Sequence, residues 1–152
     1  EILGDNHLIP IELIRRCVNS FINMENGINY AASATSEYKF SNRKWIYPIG
    51  IRAQIFNRDF INSLEKKAFG KDFREHATSY IYDKPNFHNI NLVKPEISLP
   101  FEVSNFNFAI NTEEQLFNAR EIFNNYGIFC EIIDLINWLN DKKKENTFFS
   151  SN

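Results

Sequence analysis

Two polar residues, Asp5 and Asn111, occupy positions in the sequence at which a ligand-binding site is expected. Asp5 follows a short apolar segment that reads as the end of a strand, and Asn111 follows Ile110 at the end of another. Open α/β sheets bind their ligands beyond the carboxyl ends of strands, so both side chains are candidates for a site there. Each also has an ordinary structural interpretation, Asp5 in a turn before a helix and Asn111 in the turn before the cap at Thr112.

A second group of candidates, Arg74, Glu75 and His76, lies on one predicted helix. The guanidinium of Arg74 can clamp a carboxylate or a phosphate through its planar fork. His76 can pass a proton near neutral pH, although a single histidine on a helix is more often a hydrogen-bonded structural residue. Arg74 and Glu75 are therefore favoured as substrate-positioning residues over His76 as a base.

The elements that must position these residues alternate between helix and strand. Apolar residues spaced by three and four predict helices over residues 10–24, 59–69 and 71–82. Strands are predicted over 28–32 and 49–56, and the polar stretch 33–44 between them has the composition of an exposed loop with a mobile tip. Strands that lead into helices in this way indicate an α/β fold.

Beyond these elements the hydrophobic period changes to two. Alternating apolar residues between 87 and 110 predict two strands. The first should lie at a sheet edge or contain a bulge, because Pro100 cannot donate a ladder hydrogen bond. The second, which ends at Ile110, is predicted to be the central strand.

Two helices are predicted to complete the chain. Thr112 and Gln115 match a capping box at the start of the first, and Gly127 should end it. The second is predicted from Glu131 to about residue 143, and the three lysines at 142–144 would then lie at the negative end of its dipole.

Length and charge limit the possible functions. The 152 residues fit a single α/β domain over 1–145 with a frayed tail at 146–152. Seventeen Lys and Arg against nineteen Asp and Glu give a net charge of -2, so no strong positive field is available to hold a phosphate backbone. We therefore expect no nucleic-acid partner.

Cysteine content and hydropathy suggest the compartment. Cys17 and Cys130 are far apart and have no CxxC spacing, which gives neither a zinc signature nor a disulfide framework. There is no run of about 18 apolar residues and no pattern typical of a signal peptide. These observations predict a reduced, cytoplasmic protein with no membrane partner.

Four short motifs follow one another along the chain. They are Gly-Asp-Asn-His-Leu-Ile at residues 4–9, Tyr-Pro-Ile-Gly at 47–50, Arg-Glu-His-Ala-Thr-Ser-Tyr-Ile-Tyr at 74–82 and Asn-Thr-Glu-Glu-Gln-Leu at 111–116. The series resembles the acylneuraminate and spore-coat-polysaccharide cytidylyltransferase family, in which corresponding patterns occur in the same order. The Arg-Glu-His block is the most specific motif, and the resemblance extends from Leu3 to about Tyr126.

This resemblance implies both a fold and a reaction. The implied fold is a Rossmann-like α/β nucleotidyltransferase of the nucleotide-diphospho-sugar transferase type, with helices layered on a sheet. The implied reaction joins a sugar, expected to be an acidic one, to a cytidine nucleotide and releases pyrophosphate. A sugar and a nucleoside triphosphate are therefore the expected partners.

The resemblance also assigns roles to individual residues. It implies that Asp5 is a metal ligand and a catalytic residue, together with the positioning block at 74–76. Tyr47, Gly50 and Arg52 are implied as substrate residues. Arg52 stands where family members carry an acidic residue, which would favour a more anionic ligand if Arg52 faces the cleft and would mean nothing if it faces solvent.

Asn111 is the main departure from the family pattern, which has an aspartate at this position. An amide oxygen can reach a divalent cation but lacks the charge that makes a carboxylate a good Mg²⁺ ligand. Mg²⁺ binding is therefore expected to be weak or absent in this chain alone. A residual ligand role for Asn111 and a plain turn role remain alternatives.

The Gly-rich loop with which the family holds a triphosphate has no counterpart in this sequence. We therefore expect the chain alone to bind nucleotide poorly. We also expect the surfaces that the triphosphate-holding part covers in the family to contact a second copy of this chain or a companion chain. The alternative to an enzyme is a non-catalytic remnant that kept the fold and acts as a sugar-binding or subunit-interaction module.

Overall fold

The computed structural model describes residues 2–23, 29–39, 45–67, 78–82 and 90–149. Within these ranges the chain forms a small sheet with helices packed on it. In chain order the elements are α1 (Ile11–Ile22), β1 (Tyr30–Ser33), β2 (Gln54–Phe56), α2 (Arg58–Glu65), a 3-10 turn (Ser79–Ile81), β3 (Ile90–Val93), α3 (Phe101–Ser104), α4 (Glu113–Tyr126) and α5 (Ile132–Phe149).

The sheet has the order β2-β1-β3, so β1 is its central strand. β1 pairs antiparallel with β2, Tyr30 opposite Phe56, and parallel with β3, Tyr30 opposite Ile90. All four residues of β1 are buried, and α1 packs against all three strands. Burial on both faces suits the small side chains Ala31 and Ala32 at the middle of the sheet.

Two hydrophobic clusters lie on this framework. The larger joins α1, α4 and α5 through residues such as Cys17, Ile122 and Leu135, which are fully buried. The smaller packs α2 and the 3-10 turn around Tyr30 and Tyr38. The buried aromatic residues therefore lie in two places, in the helical layer and in a tyrosine-rich cluster beside the sheet.

Within the segment 87–110, residues 90–93 form the strand β3, but the alternating residues 97–110 do not form the two strands predicted for them. Residues 101–104 form the short helix α3, which begins directly after Pro100 and buries Val103, while Ile97 is 48% exposed. Proline has no N–H to lose at a helix start, so Pro100 promotes a helical turn and does not mark an edge strand. The prediction of a central strand ending at Ile110 is also wrong, because the central strand of the sheet is β1.

The polar stretch predicted as an exposed loop is buried at residues 33–35 and 38, whereas Ser36 and Lys39 are exposed as predicted. Ser33 belongs to β1, and Thr35 and Tyr38 are almost completely inaccessible. Ser33 Oγ donates to the carbonyl oxygen of Ile51 at 3.2 Å and accepts from the N–H of Ala53 at 3.1 Å. Polar side chains can be buried when they find such partners, and composition alone does not reveal this. The prediction that the loop has a mobile tip is not tested, because residues 40–44 of the loop lie outside the described residues.

Predictions that rested on helix periodicity and capping are confirmed. α1 and α2 lie within or close to their predicted ranges, and the N–H of Gln115 donates to Thr112 Oγ1 at 3.2 Å at the start of α4. Gly127 ends α4 with a φ of 76°. Of the helix predicted over 71–82, only the 3-10 turn and its flanking residues are described.

The last helix is longer than predicted, and this changes the role of its lysines. α5 continues to Phe149, so Lys142 and Lys143 lie inside the helix and not at its negative end. Lys142 Nζ instead forms an ion pair with Glu121 of α4 at 2.8 Å, and Lys143 pairs with Glu102 of α3 at 3.4 Å. The basic run therefore ties α5 to two neighbouring helices.

Candidate functional site

The segments that contain Asp5 and Asn111 are joined by a backbone hydrogen bond. The N–H of Ile110 donates to the carbonyl oxygen of Asp5, with a nitrogen–oxygen distance of 2.9 Å. Neither segment is a strand in the described part of the chain: Asp5 lies in a turn closed by the N–H of Asn6 and the carbonyl of Leu3, at 3.1 Å. The predicted strand ends are therefore wrong as secondary structure, but the two residues do lie on adjoining segments.

Asn111 takes part in the start of α4 through its backbone. Its N–H donates to Oε1 of Gln115 at 2.8 Å, so the Gln115 side chain accepts from the residue before the cap and not from Thr112, the cap residue of the standard capping box. Its side chain is exposed, and within the described residues neither that amide nor the Asp5 carboxylate has a hydrogen-bond partner. The two oxygen-bearing side chains are thus left available while their backbones are held in place.

Gly50 closes the same region from the other side. Ile49 forms an isolated parallel bridge with Asn107, and the N–H of Phe108 donates to the Ile49 carbonyl at 2.8 Å. Gly50 has a φ of 89°, and a Cβ added there would lie 2.2 Å from the backbone nitrogen of Ala109. Only glycine fits this close approach, so Gly50 holds the 47–50 segment against the 107–109 segment.

Tyr47 lines a cavity of about 170 Å³ between α1, the segment 94–97 and the start of α5. The residue as a whole is 3% exposed, and its hydroxyl accepts a hydrogen bond from Nη1 of Arg16 at 3.1 Å. Arg16 also donates to the carbonyl of Lys94 at 2.8 Å and lies 3.5 Å from Oε1 of Glu96. Burial raises the pKa of Tyr47 to about 12, so its hydroxyl stays protonated at neutral pH.

Arg16 was not among the residues singled out from the sequence. It lies on α1 next to Cys17, a buried position, so its guanidinium reaches across to Tyr47 rather than out to solvent. An arginine beside the buried stripe of an amphipathic helix is the one signal that could have found it. Its partners come from segments distant in the sequence, and periodicity cannot predict those.

The side chain of Arg52 is turned away from solvent within the described part of the chain, and the substrate role implied for it stays a prediction. Its side chain is 7% exposed, and Nη1 lies 2.6 Å from Oε1 of Glu37 and donates to the hydroxyl of Tyr82 at 2.7 Å. Burial alone would lower the pKa of Arg52, but Glu37 and Tyr82 together raise it above its ordinary value. The cation is therefore sequestered in an internal ion pair.

Gln54 connects this ion pair to a cluster of hydroxyl groups. With its amide nitrogen toward Tyr30 Oη at 2.7 Å and Thr78 Oγ1 at 2.6 Å, its oxygen accepts from Nε of Arg52 at 2.7 Å. Tyr30 also forms a short hydrogen bond with Tyr38. This network fastens β1, β2 and the 78–82 turn together.

Three predicted catalytic residues, Arg74, Glu75 and His76, lie outside the described residues. Among the described residues no group of three or more His, Cys, Asp and Glu side chains is arranged to hold a metal ion. None of the helices in the described ranges has the length and apolar character needed to cross a membrane.

Comparison with solved structures shows the fold. The chain is similar to a cytidylyltransferase from Leptospira borgpetersenii serovar Hardjo-bovis, with a TM-score of 0.74 and 17% sequence identity. The match covers 93% of this chain and 55% of the other. The predicted α/β nucleotidyltransferase-like fold is therefore confirmed.

Sequence comparison is less specific. No protein-family model matches the chain. It is 30% identical over 94 residues to an uncharacterized protein from Methanocaldococcus jannaschii, a match that covers 62% of this chain and 33% of that protein. The chain thus spans about a third of the length of this curated relative and about half of the length of the solved structure.

Proposed function

We propose that this chain contributes to a nucleotidyltransferase that joins a sugar to the nucleotidyl group of CTP and releases pyrophosphate. The confirmed fold supports the reaction class. The observation that carries the proposal is the hydrogen bond between Ile110 and Asp5. This bond joins the two segments whose motifs resemble the metal-binding positions of cytidylyltransferases. The CMP-sugar product and a role in polysaccharide biosynthesis follow from the resemblance and belong to the same proposal.

The oxygen donors at this position fit a magnesium ion. Mg²⁺ in proteins is commonly held by one or two carboxylates together with substrate phosphates and waters, and Asp5 and Asn111 offer one carboxylate and one amide oxygen. Asp5 and Asn111 would hold the ion, which when bound supplies charge neutralisation for the phosphates. The neutral amide makes this a weaker site than a pair of carboxylates.

The residues of the chain itself would bind and orient the acceptor sugar. In the proposed reaction a sugar hydroxyl oxygen forms a bond to the α-phosphorus of CTP, the bond to pyrophosphate breaks, and the hydroxyl proton passes to a base. Tyr47 can donate to a sugar oxygen from the wall of its cavity. Arg74 and Glu75 remain predicted positioning residues, and His76 remains the candidate base.

A non-catalytic role is the second candidate, and the identity of residue 111 favours it. With asparagine there, one negative charge that stabilises a bound divalent cation is absent. Arg52, implied as a substrate residue, is also withdrawn into an internal ion pair. A sugar-binding or subunit-interaction module would need neither the charge nor the exposed arginine.

Pyrophosphate release separates the two candidates. The protein is assayed with CTP and Mg²⁺ against a panel of acidic, neutral and amino sugars, and Asp5→Asn is compared with Asp59→Asn on α2 as a matched control. An enzyme predicts turnover with at least one sugar and loss of at least about a hundredfold in Asp5→Asn alone. Because the chain alone is expected to bind nucleotide poorly, the assay is repeated with a triphosphate-binding portion supplied. Sugar binding without turnover under that condition would overturn the transferase and favour the binding module.

A further inference from the structure

The cavity beside Tyr47 has the size of a single six-membered ring. Its volume is about 170 Å³, and a cavity of about 150 Å³ in another protein holds one benzene molecule. Leu13, Ile97 and Ile132 supply apolar surface on its walls. A monosaccharide ring has one apolar face and several polar groups on its rim, which matches this kind of lining.

The Tyr47 hydroxyl is a buried donor that lacks an acceptor. Its oxygen accepts from Arg16, and within the described residues nothing accepts the hydroxyl hydrogen. Leaving a buried donor unsatisfied costs free energy, so a ligand oxygen in the cavity would be stabilised by it. Since burial keeps the pKa of Tyr47 well above neutrality, the donor is present across the physiological range.

The charge of the cavity lining is negative. Glu12, Glu96 and Glu131 line it together with one cation, Arg16, a formal charge of -2 for these four side chains. Arg16 already contacts the Tyr47 hydroxyl, a backbone carbonyl and Glu96, so its positive charge is partly compensated by groups of the protein itself. An acidic ligand would therefore meet carboxylates without a free cation on this lining.

Among the three carboxylates of the lining, Glu131 has the least of its negative charge balanced by a nearby cation. Glu12 has an ion-pair partner in Arg15 at 3.4 Å, and Glu96 has Arg16. The pKa of Glu131 is raised, first by burial and then by repulsion from Glu12 and Asp134, with partial relief from Arg15. A positive group placed beside it would favour its ionised form.

We infer that this cavity binds a monosaccharide that carries an amino group, with the ammonium facing Glu131 and a ring or hydroxyl oxygen accepting from Tyr47. As a statement about the transferase acceptor this rests on the proposed function, and it differs from the acidic sugar that the resemblance favours. The binding itself requires neither CTP nor Mg²⁺, so it can be tested separately from turnover.

The test measures equilibrium binding of glucosamine, glucose and glucuronate to the full chain at neutral pH without nucleotide. Glucosamine is expected to bind at least about tenfold more tightly than glucose, since one charge-assisted hydrogen bond is worth that much, and glucuronate more weakly still. Glu131→Gln should remove the preference for glucosamine over glucose. Tyr47→Phe should weaken both sugars by a similar factor of about fivefold.

Two further variants keep the result interpretable. Glu114→Gln, on α4 and not part of the cavity lining, should leave all three affinities unchanged. Ile97→Trp places a large ring at an exposed position on the cavity wall and should abolish binding of glucosamine even if Glu131→Gln folds poorly. Equal affinities for the three sugars, tighter binding of glucuronate, or glucosamine binding that survives Ile97→Trp would each overturn the assignment.

Discussion

The N–H of Ile110 donates to the carbonyl oxygen of Asp5 across 2.9 Å, which brings an N-terminal turn against the segment that leads into α4. Asn111 directly follows Ile110, so its backbone lies close to the turn that contains Asp5. The hydrogen bond fixes the approach of the segments, and each side chain stays without a hydrogen-bond partner in the described chain. That combination is suited to a ligand supplied from solution.

The first prediction concerns this pair. Asn111→Asp adds a second carboxylate beside Asp5 and should tighten Mn²⁺ binding by about tenfold, while Asp5→Asn should weaken it by a similar factor. Electron paramagnetic resonance of free Mn²⁺ measures both. Asp59→Asn, which removes a carboxylate on α2, is the control that should have no effect, and unchanged affinity in Asn111→Asp would argue against a shared ion.

A series of three glycines separates backbone strain from steric contact. Gly4→Ala meets nothing within 4 Å and should leave stability almost unchanged. Gly127→Ala also has open space, but Gly127 combines a φ of 76° with a ψ of -173°, a backbone region that is essentially restricted to glycine, so the change should lower the free energy of unfolding by about 2 kcal/mol. Gly50→Ala combines a φ of 89° with a backbone atom 2.2 Å from the new Cβ and should cost at least about 3 kcal/mol.

Urea denaturation measures the free energy of unfolding for each of these variants. The order of the three is the decisive result. If Gly50→Ala costs no more than Gly127→Ala, the segments 47–50 and 107–109 do not approach as closely as described.

The ion pair between Arg52 and Glu37 should affect stability and not ligand selectivity. Arg52→Met keeps an unbranched side chain but removes a buried cation that Glu37, Tyr82 and Gln54 all contact, and it should lower the free energy of unfolding by about 3 kcal/mol. Glu37→Gln should cost less, because the Glu37 side chain is 33% exposed and water can replace part of the interaction.

The control for this prediction is the pattern of sugar affinities. Arg52→Met, measured below its unfolding transition, should bind glucosamine, glucose and glucuronate with the same ratios as the parent protein. A shift of those ratios toward or away from glucuronate would place Arg52 in contact with the ligand after all.

Alkaline pH should destabilise the protein through a buried thiol. Burial raises the pKa of Cys17 from 9.0 to about 11, with Arg16 opposing the shift. Because the folded-state pKa is the higher one, the stabilising contribution is complete below pH 9 and is lost as the pH rises toward 11. The free energy of unfolding should fall over this window by up to about 1.4 kcal/mol per pH unit for this thiol.

Denaturation curves of the parent and of Cys17→Ala at several pH values test this directly. The alanine variant loses packing and should be less stable throughout, but its stability should fall less steeply between pH 9 and 11. Parallel pH profiles for the two proteins would show that the thiol does not contribute.

Local signals in the sequence predicted the helices well. α1 and α4 were found because apolar spacing and the Thr112–Gln115 cap act within a few residues of one another. The segment around Pro100 was misassigned because alternating apolar residues fit a strand and a short helical turn equally, and the packing of Val103 decides between them. Tertiary contacts of this kind lie beyond what periodicity contains.

The candidate site was predictable only in part, for a related reason. The motifs pointed to Asp5 and Asn111, and the structure places their segments together. The partnership of Arg16 with Tyr47, and the withdrawal of Arg52 to Glu37, depend on which segments pack across the sheet. A side chain's charge can be read from the sequence, but the group that neutralises it comes from the fold.

The central position of β1 has a consequence for synthesis of the protein. β1 meets β2 soon after both have left the ribosome, whereas β3 is made only after a further stretch of the chain. Until β3 is made, β1 is an edge strand whose backbone N–H and C=O groups on that side have no β3 to pair with, although all four of its residues are buried in the folded protein. A nascent or stalled chain that stops before Ile90 should therefore be prone to associate with other chains and to require a chaperone.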